Sequence, residues 1–175
     1  MNILQVLALA LAAAVCGGCT GGNPNTVPAT ADDAMPPLPT HAQPKLKTVK
    51  LWLGPEEMLA ELAATELQVR TGMMFRTNMA ENEGMLFDLE YPHRVSFWMP
   101  NCPLPLSVAY INPDGVIEEI HDLKPFDTNF VYSVSEQVQF ALETKQGWFE
   151  RHNIKPGVAM RSERGSLKQT FSGAR

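Results

Sequence analysis

LSVAYINPDGVIEEIHDL, residues 106–123, is the stretch that decides the fold. Two apolar-rich runs, 106–112 and 116–123, flank Pro113-Asp114-Gly115. Pro presets φ for a turn, Asp bonds its own backbone and Gly tolerates positive φ, so the triplet predicts a hairpin. Outward from it, short runs of strand length recur. Val49, Leu51 and Leu53 alternate with Lys50 and Trp52 until Gly54-Pro55 ends the pattern. Residues 84–89 and 94–99 are two more such runs, separated by Tyr91-Pro92-His93. Further on, 138–144 reads as a strand, 147–153 as a short helical turn and 158–161 as a last strand. Residues 124–135 lack periodicity and read as a long loop. The polar residues after 161 read as frayed.

Segment 56–75 admits two readings. Leu59, Leu62, Ala63 and Leu67 recur at helical spacing behind Pro55. Thr65 and Gln68 equally have the spacing of a capping box that opens a helix later. Many short strands with tight turns predict an α+β domain: a mostly antiparallel β-sheet, or a partly closed β-barrel, with one main helix packed on it.

Composition narrows the class. With 45% hydrophobic and 19% charged residues, the 175-residue chain has enough apolar surface for a packed core. Its net charge of −5, without a basic stripe, speaks against nucleic acid as a partner. The N-terminus predicts export. ILQVLALALAAAV, residues 3–15, is apolar except for Gln5, and no charged side chain precedes Asp32. Such a run is shorter than the roughly 20 residues that span a bilayer and fits the core of a signal peptide. Gly17-Gly18 before Cys19 resembles a bacterial lipobox, although Cys16 stands where a Leu is usual. Cys19 is therefore the candidate lipidation site, with a soluble periplasmic protein as the alternative.

Four segments follow: a signal peptide at 1–18, lipidated Cys19 with a Pro-rich tether to 44, a globular domain at 45–162 and a polar tail at 163–175. The tether holds Pro24, Pro28, Pro36, Pro37, Pro39 and Pro44, and such a stretch stays extended rather than folding alone. Removing the first segment and lipidating Cys19 leaves Cys102 as a lone thiol, so no internal disulfide supports the domain.

A series of strings is informative together: AELAAT (60–65), GMMFR (72–76), GMLF (84–87), FWMPNCPLPLSVAYI (97–111), ALETKQG (141–147) and IKPG (154–157). In order and spacing they resemble the family catalogued as domain of unknown function 192, widespread in bacteria and archaea. The resemblance covers about residues 48–160 and implies a small β-rich fold with one helix. It also implies a strand over 58–63 and a helix from Thr65 to Phe75. The family commonly has Lys where Pro100 stands, Thr at Cys102 and Asp at Ser107, so this chain departs from it in the signature run. The family supplies no reaction class.

Candidate site residues come from the residue chemistry itself. Trp98 offers a stacking face and Asn101 both donors and acceptors at a strand end. Arg76 can clamp a carboxylate with its planar fork, on an anionic ligand or on Glu61 or Glu143. These three define a binding reading, with a small molecule or an envelope polymer as ligand. The competing structural reading makes Phe97 and Met99 core and Asn101 a turn residue. A hydrolase is the alternative: Cys102 as nucleophile with His93 or His121 near, or acid–base chemistry by His121 and Asp127. His121 and Asp122 are strand neighbours and point to opposite faces, so they would not converge. Met73, Met74, Met79, Met85 and Met99, with His93 and Cys102, raise periplasmic copper binding as a further alternative. No motif spacing calls for a cofactor or a resident metal.

Mass spectrometry of protein extracted from bacterial membranes should find a mature N-terminus at Cys19 carrying acyl mass. An unacylated N-terminus at another residue would leave only the soluble, exported form.

Overall fold

The structure, a computed structural model, describes residues 37–171. Ten strands and three short helices follow one another along this part. They are β1 (Thr48–Leu53), β2 (Glu56–Ala63), α1 (Glu66–Thr71), β3 (Glu83–His93), β4 (Ser96–Phe97), β5 (Leu106–Ile111) and β6 (Ile117–Leu123). Then come β7 (Val131–Tyr132), β8 (Val138–Lys145), α2 (Trp148–Arg151), β9 (Met160–Ser162), β10 (Gly165–Ser166) and α3 (Leu167–Phe171).

The 106–123 hairpin forms as its turn predicts. Asn112 Oδ1 accepts from the amides of Asp114 and Val116 at 3.1 and 3.0 Å, and Gly115 sits at φ +84°. A side chain at Gly115 would also meet the Met160 carbonyl at 2.8 Å. β5 then pairs antiparallel with β6, Leu106 opposite Leu123.

Eight strands make one sheet in the order β10-β9-β1-β2-β3-β8-β5-β6, while β4 and β7 pair apart from it. The sheet is mixed. β2 and β3 run parallel, joined through α1, and the remaining pairings are antiparallel. It does not close into a barrel, because β10 and β6 end the order unpaired with each other. Alternation feeds two apolar layers. Leu86, Ala109, Phe140 and Leu142 join one with Trp148 and Leu167; Met85, Phe87, Val108 and Ala141 join the other with Met99 and Cys102. Central strands covered on both faces read as continuous apolar runs, which is why β5 is buried at all six positions.

The one main helix expected from the sequence is absent among the described residues; three helices of six, four and five residues stand in its place. The capping box does form. Thr65 Oγ1 accepts from the Gln68 amide at 3.3 Å, and Gln68 Oε1 accepts from the Thr65 amide at 3.1 Å. However, α1 stops at Thr71 rather than Phe75. Gly72, at φ +47°, turns the chain against the Phe87 ring, 3.4 Å from where its Cβ would lie. Residues 56–63 form a strand, and their apolar positions follow the pairing of β2 between β1 and β3 rather than a helix face.

Two other expectations change. The run 94–99 contributes only Ser96–Phe97 to a strand, since β3 continues through Tyr91-Pro92 to His93 past a register irregularity. Residues 163–171 are not frayed: β10 pairs with β9 and α3 places Leu167, with no exposed surface, and Phe171 in the core. Their two apolar side chains, four positions apart, are hard to see in a polar sequence.

Leu167→Ala should lower the unfolding free energy by about 2–5 kcal/mol, the usual cost of emptying a buried Leu site. Urea titration followed by circular dichroism reads this as a reduced midpoint.

Candidate functional site

One face of the central strands opens into a cleft of about 670 Å³, within the range of small-molecule sites. α1 supplies Val69 and Arg70, the turn after it Met73 and Met74, and β3 Phe87 through Tyr91. The segment around β4 adds His93 through Met99, and Cys102 closes one side. Several rings stand in the wall. Phe97 meets Phe87 edge-on at 5.0 Å, and Trp98 stacks on Phe130 at 5.0 Å.

The buried carboxyl of the cleft is Glu143. β8 lies between β3 and β5, with Glu143 opposite Met85 on one side and Val108 on the other, both without exposed surface. Strand alternation sets it in phase with Ala141 on the cleft face. It is 3% exposed and lines the cleft, and its Oε2 has no hydrogen-bond partner. Burial alone pushes its carboxyl up to about 8, so at neutral pH it holds a proton. The same surroundings act on their neighbours. Burial, then the charge of Glu143, pushes the Cys102 thiol up to about 12, and Tyr110 is raised by the same two causes in the same order. The Tyr110 hydroxyl donates to the Val131 carbonyl at 2.5 Å, tying β5 to β7 across this layer.

The residues singled out from the sequence do not gather at one point. Trp98 lines the cleft, half-buried. Asn101 is not among its lining residues; it adopts φ +58°, and its carbonyl accepts from the Phe75 amide at 2.7 Å, which fixes the turn. Arg76 chooses Glu61 over Glu143. Its Nη1 and Nη2 donate to Glu61 Oε1 and Oε2 at 3.3 and 3.0 Å, and Nη2 also reaches the Pro44 carbonyl. Glu61 Oε2 accepts from the Leu46 amide as well, at 2.6 Å, so the pair fastens the entry of the domain to β2. The hollow beside Arg76 holds about 40 Å³, room for little more than a water. Cys19 lies outside the described residues, as does the rest of the export segment.

The groups of the hydrolase alternative each serve local structure. His121 Nε2 contacts Glu119 at 3.0 Å, while the adjacent Asp122 accepts from Ser107 at 2.6 Å on the other face. Asp127 accepts from the Asn129 amide at 2.9 Å. The Cys102 Sγ–H points to the Leu104 carbonyl at 3.8 Å. Soft groups considered for copper do meet: Met73, Met74, Met99, Cys102 and His93 all line the cleft. His93 Nδ1 is engaged by the Tyr91 carbonyl at 2.8 Å. Among the described residues, no three His, Cys, Asp or Glu side chains stand together as a metal set.

Glu143 as the cleft's polar group escapes sequence reasoning, which reaches it only as a partner for Arg76. A signal exists in VQFALETK, 138–145, where one carboxylate stands in phase with core residues of a strand that is apolar on both faces.

Fold and cleft together define a small mixed-sheet domain that carries a ligand-sized, aromatic-walled pocket over a lone buried carboxyl. The chain belongs to the domain of unknown function 192 family (Uncharacterized ACR), which matches residues 49–162. Two crystal structures are similar. One, a candidate transcription regulator from Sinorhizobium meliloti, is 31% identical with a TM-score of 0.66, over 69% of this chain and 98% of that one. The other, a protein of unknown function from Novosphingobium aromaticivorans, is 28% identical with a TM-score of 0.63, over 74% of this chain and 94% of that one. No curated protein matches.

Glu143 also fixes a pH dependence of stability. Unfolding returns its carboxyl from about 8 to 4.5, so between those values the folded state binds the extra proton. Its contribution is intact below about pH 4.5 and falls through the window as pH rises, by up to about 1.4 kcal/mol per unit. Urea titrations across this window should show stability dropping by several kcal/mol more in the native chain than in Glu143→Gln.

Proposed function

We propose that this domain is a non-enzymatic binding module that receives a small amphipathic molecule, or the exposed end of an envelope polymer, in the Glu143 cleft. The observation that carries the reading is the cleft itself: about 670 Å³, with Phe87, Phe97 and Trp98 in its wall and the buried, unpartnered carboxyl of Glu143 in its lining. Aromatic walls supply most of the burial, and one placed polar group sets orientation. Trp98 keeps the role expected of it, while Glu143 replaces Arg76 and Asn101 as the anchor.

A neutral thiol without an imidazole bonded to it argues against a hydrolase built on Cys102. The Sinorhizobium relative's description brings nucleic acid to mind, but 19 acidic against 14 basic residues give this chain no positive footprint. The setting belongs to the same proposal. Residues 1–19 support export and lipidation, which places the domain on the periplasmic side of a bacterial membrane behind its Pro-rich tether. No helix among the described residues is long and apolar enough to cross a membrane. The lipid on Cys19 is the anchor in this reading.

N-phenyl-naphthylamine, an uncharged fluorophore that brightens in apolar surroundings, should bind the full chain with one site. Val69→Trp fills the cleft from α1 and should weaken binding at least about tenfold. Unchanged affinity in that variant, with native circular dichroism, would overturn the reading.

A further inference from the structure

An apolar pocket that takes an uncharged molecule has no need of a carboxyl group at its inner end. Glu143 sits between Met85 and Val108, in the layer formed by Phe87, Ala141 and Met99, where Gln or Leu would fill the same space. Leaving such a group unpartnered costs the fold free energy. Among the described residues, no cation acts on it. Arg76 is committed to Glu61. Arg94 turns its Nε to the Ser133 carbonyl at 3.0 Å and lays its guanidinium over Tyr132 at 5.2 Å. Arg70 donates from Nη2 to the Pro37 carbonyl.

We propose that the cleft recognises an organic cation, a substituted ammonium group seated between the Glu143 carboxylate and the rings of Phe87, Phe97 and Trp98. This deepens the binding reading above and rests on it. Aromatic rings attract cations through their quadrupole, and the attraction grows when water is excluded. A carboxylate at the end of a ring-lined pocket adds the charge that an aromatic wall lacks. Glu66, Asp88 and Glu90 line the same cleft against Arg70 and Arg94, so the approach is also more acidic than basic. An inorganic divalent ion fits poorly, since hard cations take six or more oxygen ligands. The volume suits a molecule rather than an ion.

Binding carries a proton balance. The empty site holds Glu143 protonated at neutral pH; a permanently charged ammonium ion displaces that proton to solvent and leaves carboxylate and cation paired. Cys102 and Tyr110, the groups coupled to Glu143, are pushed up and stay neutral through this range. The other titratable or charged groups around the cleft are Glu66 and Arg70 at α1, Asp88, Glu90, Tyr91 and His93 on β3, and Arg94 just beyond it. Affinity for a quaternary ammonium ion therefore rises about tenfold per pH unit up to about pH 8 and levels above it.

Competition against N-phenyl-naphthylamine on the full chain tests this, with choline and its uncharged carbon isostere dimethylbutanol as probes. Choline should displace the fluorophore at least about tenfold more tightly than dimethylbutanol near pH 8, with the pH slope above. Glu143→Gln, verified folded by circular dichroism, should lose both the preference and the slope, whatever its own affinity for the fluorophore. If dimethylbutanol competes as well as choline, or if the slope survives in Glu143→Gln, the cation proposal falls and the binding cleft stands. If the fluorophore itself ignores the cleft, both fall.

Discussion

Burial of the central strands on both faces is the constraint on which the rest depends. β8 runs between β3 and β5, and residues 140–144 are buried without a break. Side chains that alternate across such a strand must satisfy two separate apolar layers at once. One layer is closed by Trp148, Phe149 and the C-terminal α3, which is why the chain's last described residues belong to the core. The other is covered less completely. α1 is only six residues long and ends at Gly72, so the layer beneath it is left open as the cleft.

That incomplete cover gives the site its chemistry. Water is largely excluded from the inner end, and a carboxyl there keeps its proton while the neighbouring thiol and phenol keep theirs. Groups that look reactive in isolation are quiet in this setting. Glu143 differs in kind: burial alone raises its carboxyl, with no charged neighbour contributing. Meanwhile Arg76 and Glu61, a half-buried pair, act on geometry by holding the entry of the domain against β2. An ion pair of this type fixes register more than it adds stability.

Much of the fold is written in local signals. The Pro113-Asp114-Gly115 turn, the Thr65/Gln68 capping box and the alternation in β1 each depend on residues within a few positions of one another. A reader of sequence can therefore find the strands and their tight turns, and the family series adds the strand over 58–63. Sheet order is different. That β2 runs parallel to β3, and that β8 inserts between β3 and β5, follows from pairings made tens of residues apart.

The candidate site divides along the same line. Trp98 is visible as an unusual ring at a strand end, and it does line the cleft, half-buried. Glu143 is not, because its meaning comes from Met85 and Val108 on neighbouring strands and from the lack of any cation beside it. Arg76 and Asn101 are chemically able to bind a ligand, but tertiary structure pairs the Arg76 guanidinium with Glu61 and places Asn101 at a turn, outside the cleft lining, where its backbone carbonyl accepts from the Phe75 amide. By itself the sequence determined the family, the strand-rich class, the hairpin and the pattern expected of an exported chain, since these rest on near neighbours and composition. Only the tertiary structure decided the open mixed sheet, the place of α3 in the core and the lone carboxyl, since burial is a property of what the rest of the chain places around a residue.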